Sequence, residues 1–451
     1  MNRDIEQDLL HWKQQKNRMP LLLRGARQVG KSFIVEKFGR AHFEQVVTVN
    51  FEQNPGLTRC FDTLYPNDII MALSLSLHQK IEPGKTLLFL DEIQDCPNAI
   101  RALRYFKEQY SALHVIGAGS LLEFTLNQDN FRMPVGRVQS LYLKPLSFKE
   151  FLSAMDYLDL REFLEHVDLS TPIPEPVHQT LLKLIRQYMV LGGMPSVLHA
   201  YLSSASSVGH PPMYDLAEPQ LQQTILLNTY RHDFSKYTKH TQIQYVRRVF
   251  EKAPGLVGSH VKYARVDPDA RSQNIKSALE RLEQAGLIHP IYSTAASGLP
   301  LITLINEKKF KILFLDVGLM TCTSHLAAEL LLNNNLLLLN RGAMAEQFVG
   351  QELLAYTPAI DVPHLYFWCR EKKSSMAEVD FITTCDAKII PIEVKAGTTG
   401  QLKSLQLFMH EKMIPLGVRI AEHPLSFDGT LLSIPLYMVS ELSRLVLNIV
   451  K

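Results

Sequence analysis

Cysteine is scarce and scattered in this sequence of 451 residues. The chain has five cysteines, and none of them forms a Cys-x-x-Cys pair or a Cys/His spacing that would hold zinc. They are Cys60, Cys96, Cys322, Cys369 and Cys385. A disulfide framework and a zinc site of ordinary spacing are therefore excluded, and a reducing cytosol is the expected environment.

Long hydrophobic runs are also missing. The most apolar stretch, 330–339, contains Asn333, Asn334 and Asn335 and is too short to cross a bilayer. Residues 1–13 are rich in charge and lack the apolar centre of a signal peptide. We expect no membrane partner, no export by a signal peptide and a cytoplasmic location.

A large excess of charge of either sign is absent as well. Lys and Arg number 47 and Asp and Glu number 45, so the formal net charge is +2. Attraction to nucleic acid must therefore come from a local patch of the surface. Apolar residues make up 46% of a chain that is too long for one hydrophobic core, which indicates a folded protein of roughly two to four domains.

The first 150 residues alternate short apolar runs with amphipathic stretches. Predicted strands cover 21–23, 46–49, 86–90 and 114–116, and predicted helices begin at Lys31 and lie near 69–77 and 99–106. Such alternation is typical of a parallel sheet covered by helices on both faces. The sequence therefore predicts an α/β core over residues 1–150.

A glycine-rich turn joins the first predicted strand to the helix that follows it. Its residues are Gly25, Ala26, Arg27, Gln28, Val29, Gly30, Lys31 and Ser32. Glycines let successive backbone amides face phosphate groups, and the helix N-terminus adds its positive end. Lys31 would reach the β and γ phosphates, and Ser32 would ligate Mg²⁺, which prefers oxygen. The pattern predicts a site for ATP and Mg²⁺; the alternative is a turn without a ligand.

Polar residues follow two further strands of the predicted sheet. Asp91 and Glu92 end an apolar strand, where Asp91 would hold Mg²⁺ and Glu92 would orient and deprotonate the attacking water. Ser120 follows the next strand and could sense the γ phosphate. Ser120 could equally be a helix N-cap, with Glu123 completing a capping box, and the two roles are compatible.

These segments resemble the cores of prokaryotic AAA-type P-loop ATPases. The family core opens Gly-x-Arg-Gln-Val-Gly-Lys-Ser, as residues 25–32 do, and its acidic strand reads Leu-Asp-Glu-Ile-Gln, as residues 90–94 do. The segments 134–137 and 143–148 are further landmarks of the family. The resemblance implies an enzyme that hydrolyses ATP.

The resemblance also implies roles for three residues outside the loop. Arg137 would be an arginine finger or γ-phosphate sensor that acts from a neighbouring subunit of a homo-oligomer. Alternatively, it is a surface arginine on a turn. In related ATPases a Gly-x-Pro motif of the lid packs against the nucleotide base, which implies this position for Gly193 and Pro195. The alternative is a glycine helix stop followed by proline.

The middle of the chain reads as a helical lid over 151–240 and a winged helix over 241–330. The latter is predicted from the order helix, short helix, helix 270–286 and strand. Helix 270–286 directs Arg271, Lys276 and Arg281 away from its apolar face, as a DNA-reading helix would. Such residues can also be a solvated face, and many winged helices bind only protein. The charged and aromatic segment 230–237 has no assigned role.

The C-terminal segment 331–451 carries acids on neighbouring elements. Glu346 lies near the start of an amphipathic helix, Asp380 lies on a strand reached through a turn at 372–375, and Glu393 and Lys395 share one face of the next strand. The three acids could hold Mg²⁺ at a scissile phosphate while Lys395 steadies the attacking water.

This arrangement resembles the restriction-endonuclease-like, PD-(D/E)XK, fold, and also the domain of unknown function that is fused to these ATPases. The alternative is an ion pair on the face of an ordinary sheet. We first expect an ATPase coupled to DNA binding or processing, with a nuclease in the C-terminal segment. The second expectation is an ATP/ADP-driven switch whose nuclease-like domain binds without cutting. A small-molecule kinase comes last.

Overall fold

A computed structural model of the chain describes residues 1–127, 131, 134, 136–204, 215–238, 240–324, 341–370, 377–396 and 401–450. The predicted asparagine break at 333–335 and the predicted turn at 372–375 lie outside these ranges. The chain divides into two compact units. The first comprises 1–144, 284–286 and 358–362, and the second comprises 145–283, 287–357 and 363–451. Among the described residues, no helix has the length and apolar character that a membrane crossing requires.

The first unit contains a five-stranded parallel sheet in the order β2-β3-β4-β1-β5. The strands are β1 (Leu21–Arg24), β2 (Gln45–Asn50), β3 (Thr86–Asp91), β4 (His114–Ala118) and β5 (Gln139–Tyr142). The helices are α1 (Ile5–Gln14), α2 (Lys31–His42), α3 (Pro66–Leu77), α4 (Pro97–Gln109) and α5 (Leu122–Leu126). The α/β fold with a parallel sheet that was predicted for this part of the chain is confirmed.

Strand order in the first unit brings three loops together. β4 lies between β1 and β3, with Leu23 opposite Ala118 and Leu90 opposite Gly117. Every residue of β3 and β4 is buried, as expected for strands with helices on both faces. Because all three strands are parallel, the residues that follow them meet at one edge of the sheet.

The second unit contains an eight-stranded mixed sheet in the order β12-β13-β11-β10-β9-β8-β6-β7. Its strands are β6 (Ile288–Thr294), β7 (Ile305–Phe314), β8 (Leu365–Cys369), β9 (Glu378–Cys385), β10 (Lys388–Val394), β11 (Gly417–Ala421), β12 (Ser426–Phe427) and β13 (Leu431–Pro435).

The helices of the second unit fall into three groups along the chain. The first group is α6 (Phe148–Ala154), α7 (Leu158–His166), α8 (Glu175–Leu191) and α9 (Pro195–Ser203). The second is α10 (Ala217–Tyr237), α11 (His240–Leu256), α12 (Tyr263–Val266), α13 (Ser272–Gln284) and α14 (Val317–Thr323). The third is α15 (Arg341–Ala355), α16 (Lys403–Lys412) and α17 (Leu442–Val450).

One sheet crosses the domain boundary that the sequence predicts at residue 330. The antiparallel hairpin of β6 and β7 follows α11, α12 and α13, in the predicted order of elements. β6 then pairs in parallel with β8, with Ile291 opposite Leu365. The segments 241–330 and 331–451 therefore share a continuous sheet instead of forming separate sheets.

Buried aromatic rings join α6, α8 and α15 within the second unit. The ring of Phe148 lies 5.9 Å from that of Tyr188 and 6.4 Å from that of Phe348, in both cases edge to face. The carboxylate of Glu352 accepts the backbone amide of Phe148 at 3.1 Å and the hydroxyl of Tyr356 at 2.9 Å. Burial raises the pKa of Glu352 to about 8, although these hydrogen bonds act in the opposite direction.

The raised pKa of Glu352 predicts that the second unit becomes more stable as the pH falls from about 8.5 to 6. The folded state takes up a proton below about pH 8, whereas the unfolded chain does so near 4.5. This one group adds up to about 1.4 kcal/mol per pH unit to the unfolding free energy. We expect Glu352→Gln, which keeps an acceptor oxygen, to weaken this pH dependence.

Urea unfolding at several pH values measures this effect. The chain has two tryptophans, so a Trp12→Phe background leaves Trp368 of the second unit as the fluorescent reporter. The exposed Glu280→Gln serves as the control and should follow the wild type. The same pH dependence in wild type and Glu352→Gln would contradict the prediction.

Candidate functional site

The phosphate loop between β1 and α2 has a backbone that requires glycine at two positions. Gly25 has a φ of 142°, and a Cβ there would lie 2.1 Å from the carbonyl oxygen of Leu143. Gly30 has a φ of 95° and caps the N-terminus of α2 in a left-handed conformation. The loop thus turns sharply into the helix, and the first amides of the helix are directed toward it.

Lys31 is buried against the loop from which it starts. Its Nζ donates hydrogen bonds to the carbonyl oxygens of Gly25 at 2.9 Å and Ala26 at 2.7 Å. Burial lowers the pKa of Lys31 to about 8, against the opposing influence of Glu92 and Asp91. The amine is therefore mainly protonated at neutral pH and supplies a positive charge inside the phosphate loop.

Asp91 at the end of β3 connects two neighbouring elements. Both of its carboxylate oxygens accept the hydroxyl of Ser32, each at 3.0 Å, and Oδ2 also accepts Nδ2 of Asn50 at 3.1 Å. Burial raises the pKa of Asp91, and the Ser32 hydrogen bond partly offsets this. A hydroxyl and a carboxylate in contact are oxygen donors of the type that Mg²⁺ prefers, so these residues fit that ion.

Glu92 is held from two sides at the sheet edge. Its Oε2 accepts Nε2 of Gln94 at 2.7 Å and both the amide and the hydroxyl of Ser120 at 3.3 Å. Its backbone is left-handed, with a φ of 49°. Helix α5 has Leu121 as its N-cap and no side-chain cap, so Ser120 contacts Glu92 instead of capping the helix.

Three residues of this site escaped the sequence analysis. Asn50 directly follows the predicted strand 46–49, and Gln94 ends the motif 90–94 without a predicted role. Arg3 gave no signal at all. Its guanidinium donates to the carbonyl oxygens of Val29 at 3.1 Å and Lys144 at 2.6 Å, and so ties the phosphate loop to the chain beyond β5.

Arg137 lies outside this cluster of contacts within the first unit. It is exposed, and its Nε donates to Oε1 of Glu108 at 3.0 Å. This contact matches the surface arginine of the alternative interpretation; action from a neighbouring subunit stays a prediction.

Gly193 and Pro195 lie in the second unit. The amide of Gly193 donates to Oδ2 of Asp316 at 2.7 Å, and Pro195 is the first residue of α9. The preceding helix ends at Leu191, so the helix stop of the alternative interpretation is present. Contact of Gly193 and Pro195 with a nucleotide stays a prediction.

The predicted C-terminal acids lie in one cluster of the second unit, together with a lysine that the sequence analysis missed. Nζ of Lys311, on β7, lies 3.3 Å from Oε2 of Glu346 and 3.9 Å from Oδ1 of Asp380, and it also contacts Glu378. Lys311 is only 1% exposed. Oε2 of Glu378 lies 2.7 Å from Nε2 of His260. We call these five residues, with Glu393 and Lys395, the carboxylate cluster.

Glu393 and Lys395 form the predicted same-face pair. Nζ of Lys395 donates to Oε1 of Glu393 at 2.6 Å, whereas Oε2 of Glu393 is buried without a hydrogen bond among the described residues. Oδ2 of Asp380 accepts the amide of Val394 at 2.8 Å. Burial raises the pKa of Glu393 and, together with Asp380, that of Glu346.

Lys311 changes the electrostatics of this cluster. Burial acts to lower its pKa, but the carboxylates of Glu346, Glu378 and Asp380 together raise it above the ordinary value. The lysine thus carries the positive charge that a metal ion would supply there. In the described ranges, no group of three or more His, Cys, Asp or Glu side chains is arranged to hold a metal ion. The acids predicted as ligands are close together, and Mg²⁺ binding by them stays a prediction.

Several known structures are similar to parts of this chain. A Walker-type ATPase, PABY2304 of Pyrococcus abyssi, has 14% identity and a TM-score of 0.45, with 72% of this chain and 95% of that chain covered. The ORC2 protein of Aeropyrum pernix, in ADPNP–ADP complexes, has 14% identity and a TM-score of 0.35, with 72% and 91% covered. At these TM-scores the likenesses support no further conclusion. No curated protein matches the chain.

Family models match three consecutive segments. Residues 182–330 match a domain of unknown function (DUF8612), and residues 341–437 match another (DUF4143). Residues 17–152 match an AAA domain, and this segment includes the phosphate loop, Asp91, Glu92 and Ser120. The segment 17–152 is therefore an AAA domain, and the chain is a P-loop ATPase.

Proposed function

We propose that the first unit hydrolyses ATP with Mg²⁺ and that this turnover is coupled to DNA binding by the chain. The observation that carries the catalytic part is the position of Glu92, which Gln94 and Ser120 hold beside the contact of Ser32 with Asp91. A base, a carboxylate and a hydroxyl at one sheet edge are the groups that phosphoryl transfer to water requires.

Each of these groups has a separate task in the proposed reaction. Lys31 and the amides that open α2 bind the phosphates of ATP and neutralise their charge. Ser32 and Asp91 would hold Mg²⁺, which, when bound, stabilises the charge on the β and γ phosphates. Asn50 keeps the Asp91 carboxylate in place from β2. These tasks leave Glu92 as the acid that is not occupied with the metal.

Glu92 orients the attacking water and takes its proton. Its Oε2 accepts the three hydrogen bonds from Gln94 and Ser120, so Oε1 is the oxygen that can face a water molecule. Ser120 touches this carboxylate directly and follows β4, which lies beside β1. It therefore connects the base to the strand that leads into the phosphate loop, consistent with its proposed role as a γ-phosphate sensor.

Glu92→Gln should separate binding from turnover. The amide keeps the size of the side chain but cannot accept a proton, so we expect kcat to fall by about 10²- to 10⁴-fold while ATP still binds. Gln94→Ala should lower kcat less, because it removes only one of the groups that orient Glu92. Steady-state phosphate release and fluorescent-nucleotide binding measure the two effects. Unchanged turnover in Glu92→Gln would refute the assignment of the base, and the exposed Glu44→Gln is the control.

The second unit has two candidate roles in the proposed action on DNA. In the first, a restriction-endonuclease-like segment cleaves DNA through Glu346, Asp380, Glu393 and Lys395. The grouping of these side chains supports it, as does the same-face pair of Glu393 with Lys395. In the second, a winged helix and the C-terminal segment bind DNA without cutting, and the ATP and ADP states switch that binding.

Lys311 favours the second candidate. Its ammonium already balances three carboxylates, and a divalent ion would have to displace it or share those oxygens with it. Removing a buried partner of such a network leaves uncompensated charge, which makes displacement costly. We therefore propose a nucleotide-driven switch on DNA as the better-supported function of the two.

The two candidates predict different fates for DNA. We expect DNA to stimulate ATP turnover by the wild type, and labelled linear, branched and single-stranded DNA to be recovered at full length after incubation with ATP and Mg²⁺. Gel electrophoresis of the DNA and phosphate release from the same samples provide both readouts. Lys31→Ala, which lacks the phosphate-binding amine, should abolish turnover.

Cleavage by the wild type that disappears in Asp380→Ala and in Glu393→Ala would instead establish the nuclease. Cleavage that persists in both variants would point to a contaminant and leave the switch standing. The exposed Asp159→Ala is the matched control for the loss of a carboxylate, and it should behave as the wild type in both readouts.

A further inference from the structure

A basic cleft of about 590 Å³ lies between the end of α10 and the beginning of α11. Six of its lining residues matter here: Arg231, His232 and Ser235 from α10, and His240, Gln244 and Arg247 from α11. We call these residues the α10–α11 cleft. They belong in part to the charged and aromatic segment 230–237, to which neither the sequence analysis nor the proposed function gives a role.

The α10–α11 cleft is lined by basic side chains and by no acidic ones. Its lining includes two guanidinium groups and two imidazoles, together with hydroxyl and amide groups, and it includes no carboxylate. The chain as a whole has a net charge of only +2. A local concentration of this kind is what a near-neutral protein needs in order to attract a polyanion.

One arginine of the cleft is held in position before any ligand arrives. Nη1 of Arg231 donates to Oδ1 of Asn228 at 2.8 Å, and its guanidinium lies over the ring of Phe250, 5.8 Å from the centroid. Arg247 is exposed, and within the described part of the chain no ion pair involves it. A fixed guanidinium loses little freedom on binding phosphate, and an exposed one can reach toward it.

The spacing of the polar side chains along α11 fits a nucleic acid strand better than a single ion. His240, Gln244 and Arg247 are four and three positions apart, so they share one face of the helix. They extend over about 10 Å at about 1.5 Å per residue. Successive phosphates of one DNA strand rise about 3.4 Å along the duplex axis and lie about twice as far apart along the strand itself, so this face matches about two of them. The first amides of α11 add the positive end of the helix.

The helix that the sequence singled out for DNA has fewer available cations. Nη1 of Arg281 donates to the carbonyl oxygen of Tyr237 at 2.7 Å, which ties α13 to the end of α10. Nζ of Lys276 lies 3.7 Å from Oε1 of Glu280 one turn along the helix. Of the three predicted basic residues, only Arg271 is not engaged in either of these contacts. The α10–α11 cleft is therefore the stronger candidate.

We propose that the α10–α11 cleft binds the phosphodiester backbone of a nucleic acid strand. This inference rests on the proposed DNA function and identifies the surface that carries it. Arg231 and Arg247 contact phosphate oxygens, and Ser235, Gln244 and the first amides of α11 supply further hydrogen bonds. Contacts of this kind read no base sequence, so the binding is not sequence-specific.

Fluorescence anisotropy with the full-length chain and labelled duplex and single-stranded DNA tests the cleft. Arg247→Gln removes one exposed cation without touching the core. At about 0.1 M salt we expect it to weaken binding about tenfold, because the release of one counterion is lost. The slope of log affinity against log salt should fall by about one. Arg247→Glu should weaken binding further. The matched control is the double variant Arg271→Gln with Lys276→Gln, which should bind like the wild type.

The outcomes separate this inference from the proposed function. If the double variant Arg271→Gln with Lys276→Gln loses affinity and the Arg247 variants do not, the cleft is refuted while DNA binding stands. If the wild type binds no DNA, the DNA proposal fails together with the cleft. Poly-glutamate and inorganic phosphate serve as competitors. Each competitor is compared with unlabelled DNA at the same concentration of negative charge. If poly-glutamate displaces labelled DNA as effectively as unlabelled DNA does, the ligand is an acidic protein; if inorganic phosphate does so, the ligand is a free phosphate. Either result overturns the assignment to nucleic acid.

Discussion

The parallel pairing of β1, β4 and β3 determines where every group of the nucleotide site lies. Each strand ends at the same edge of the sheet, so the phosphate loop, Ser120 and the pair Asp91 and Glu92 converge without any long side chain reaching across the fold. Every residue of β3 and β4 is buried, so the helices packed on both faces hold these strands in place. The contacts of Glu92 with Ser120 follow directly, since β4 is the neighbour of β3. The grouping of these residues is thus a consequence of strand order.

A different constraint governs the second unit, where buried carboxylates connect helices and strands. Asp316 is fully buried and accepts the amides of Gly193 and Leu319; burial raises its pKa to about 6 in spite of these bonds. Glu352 accepts the amide of Phe148 in the same way. These carboxylates accept hydrogen bonds from buried backbone amides that would otherwise lack an acceptor. They thereby hold the helices in position relative to one another. Lys311 also connects elements, in this case through its charge. Its ammonium on β7 contacts the carboxylates of Glu346 on α15 and Asp380 on β9.

The sequence predicts local features well and distant pairings poorly. β3 was predicted to within one residue because an apolar run between turns is a local signal, and the buried positions Ile275 and Leu282 of α13 follow from helical periodicity. Strand order has no such signal, so neither the contact of Asn50 with Asp91 nor the pairing of β6 with β8 could be deduced. Lys311 escaped for the same reason, since its partners come from segments more than thirty positions away in the chain. Only these tertiary contacts supply the counter-charges that let a lysine be buried on β7.

The shared sheet also limits how the second unit can respond to a ligand. The guanidinium of Arg231 lies over Phe250 of α11, whose ring lies 5.5 Å from that of Phe314 at the end of β7, the strand that carries Lys311. The α10–α11 cleft and the carboxylate cluster are thus joined by packed side chains and by one strand. A contact path alone transmits nothing, because a ligand shifts an equilibrium only by binding one of two arrangements more tightly. Since β6 and β7 continue into β8, a relative movement of the segments 241–330 and 331–451 would have to break strand pairing. A response of this unit to a ligand therefore has to occur in side chains, such as those packed between the α10–α11 cleft and β7, while the sheet stays intact.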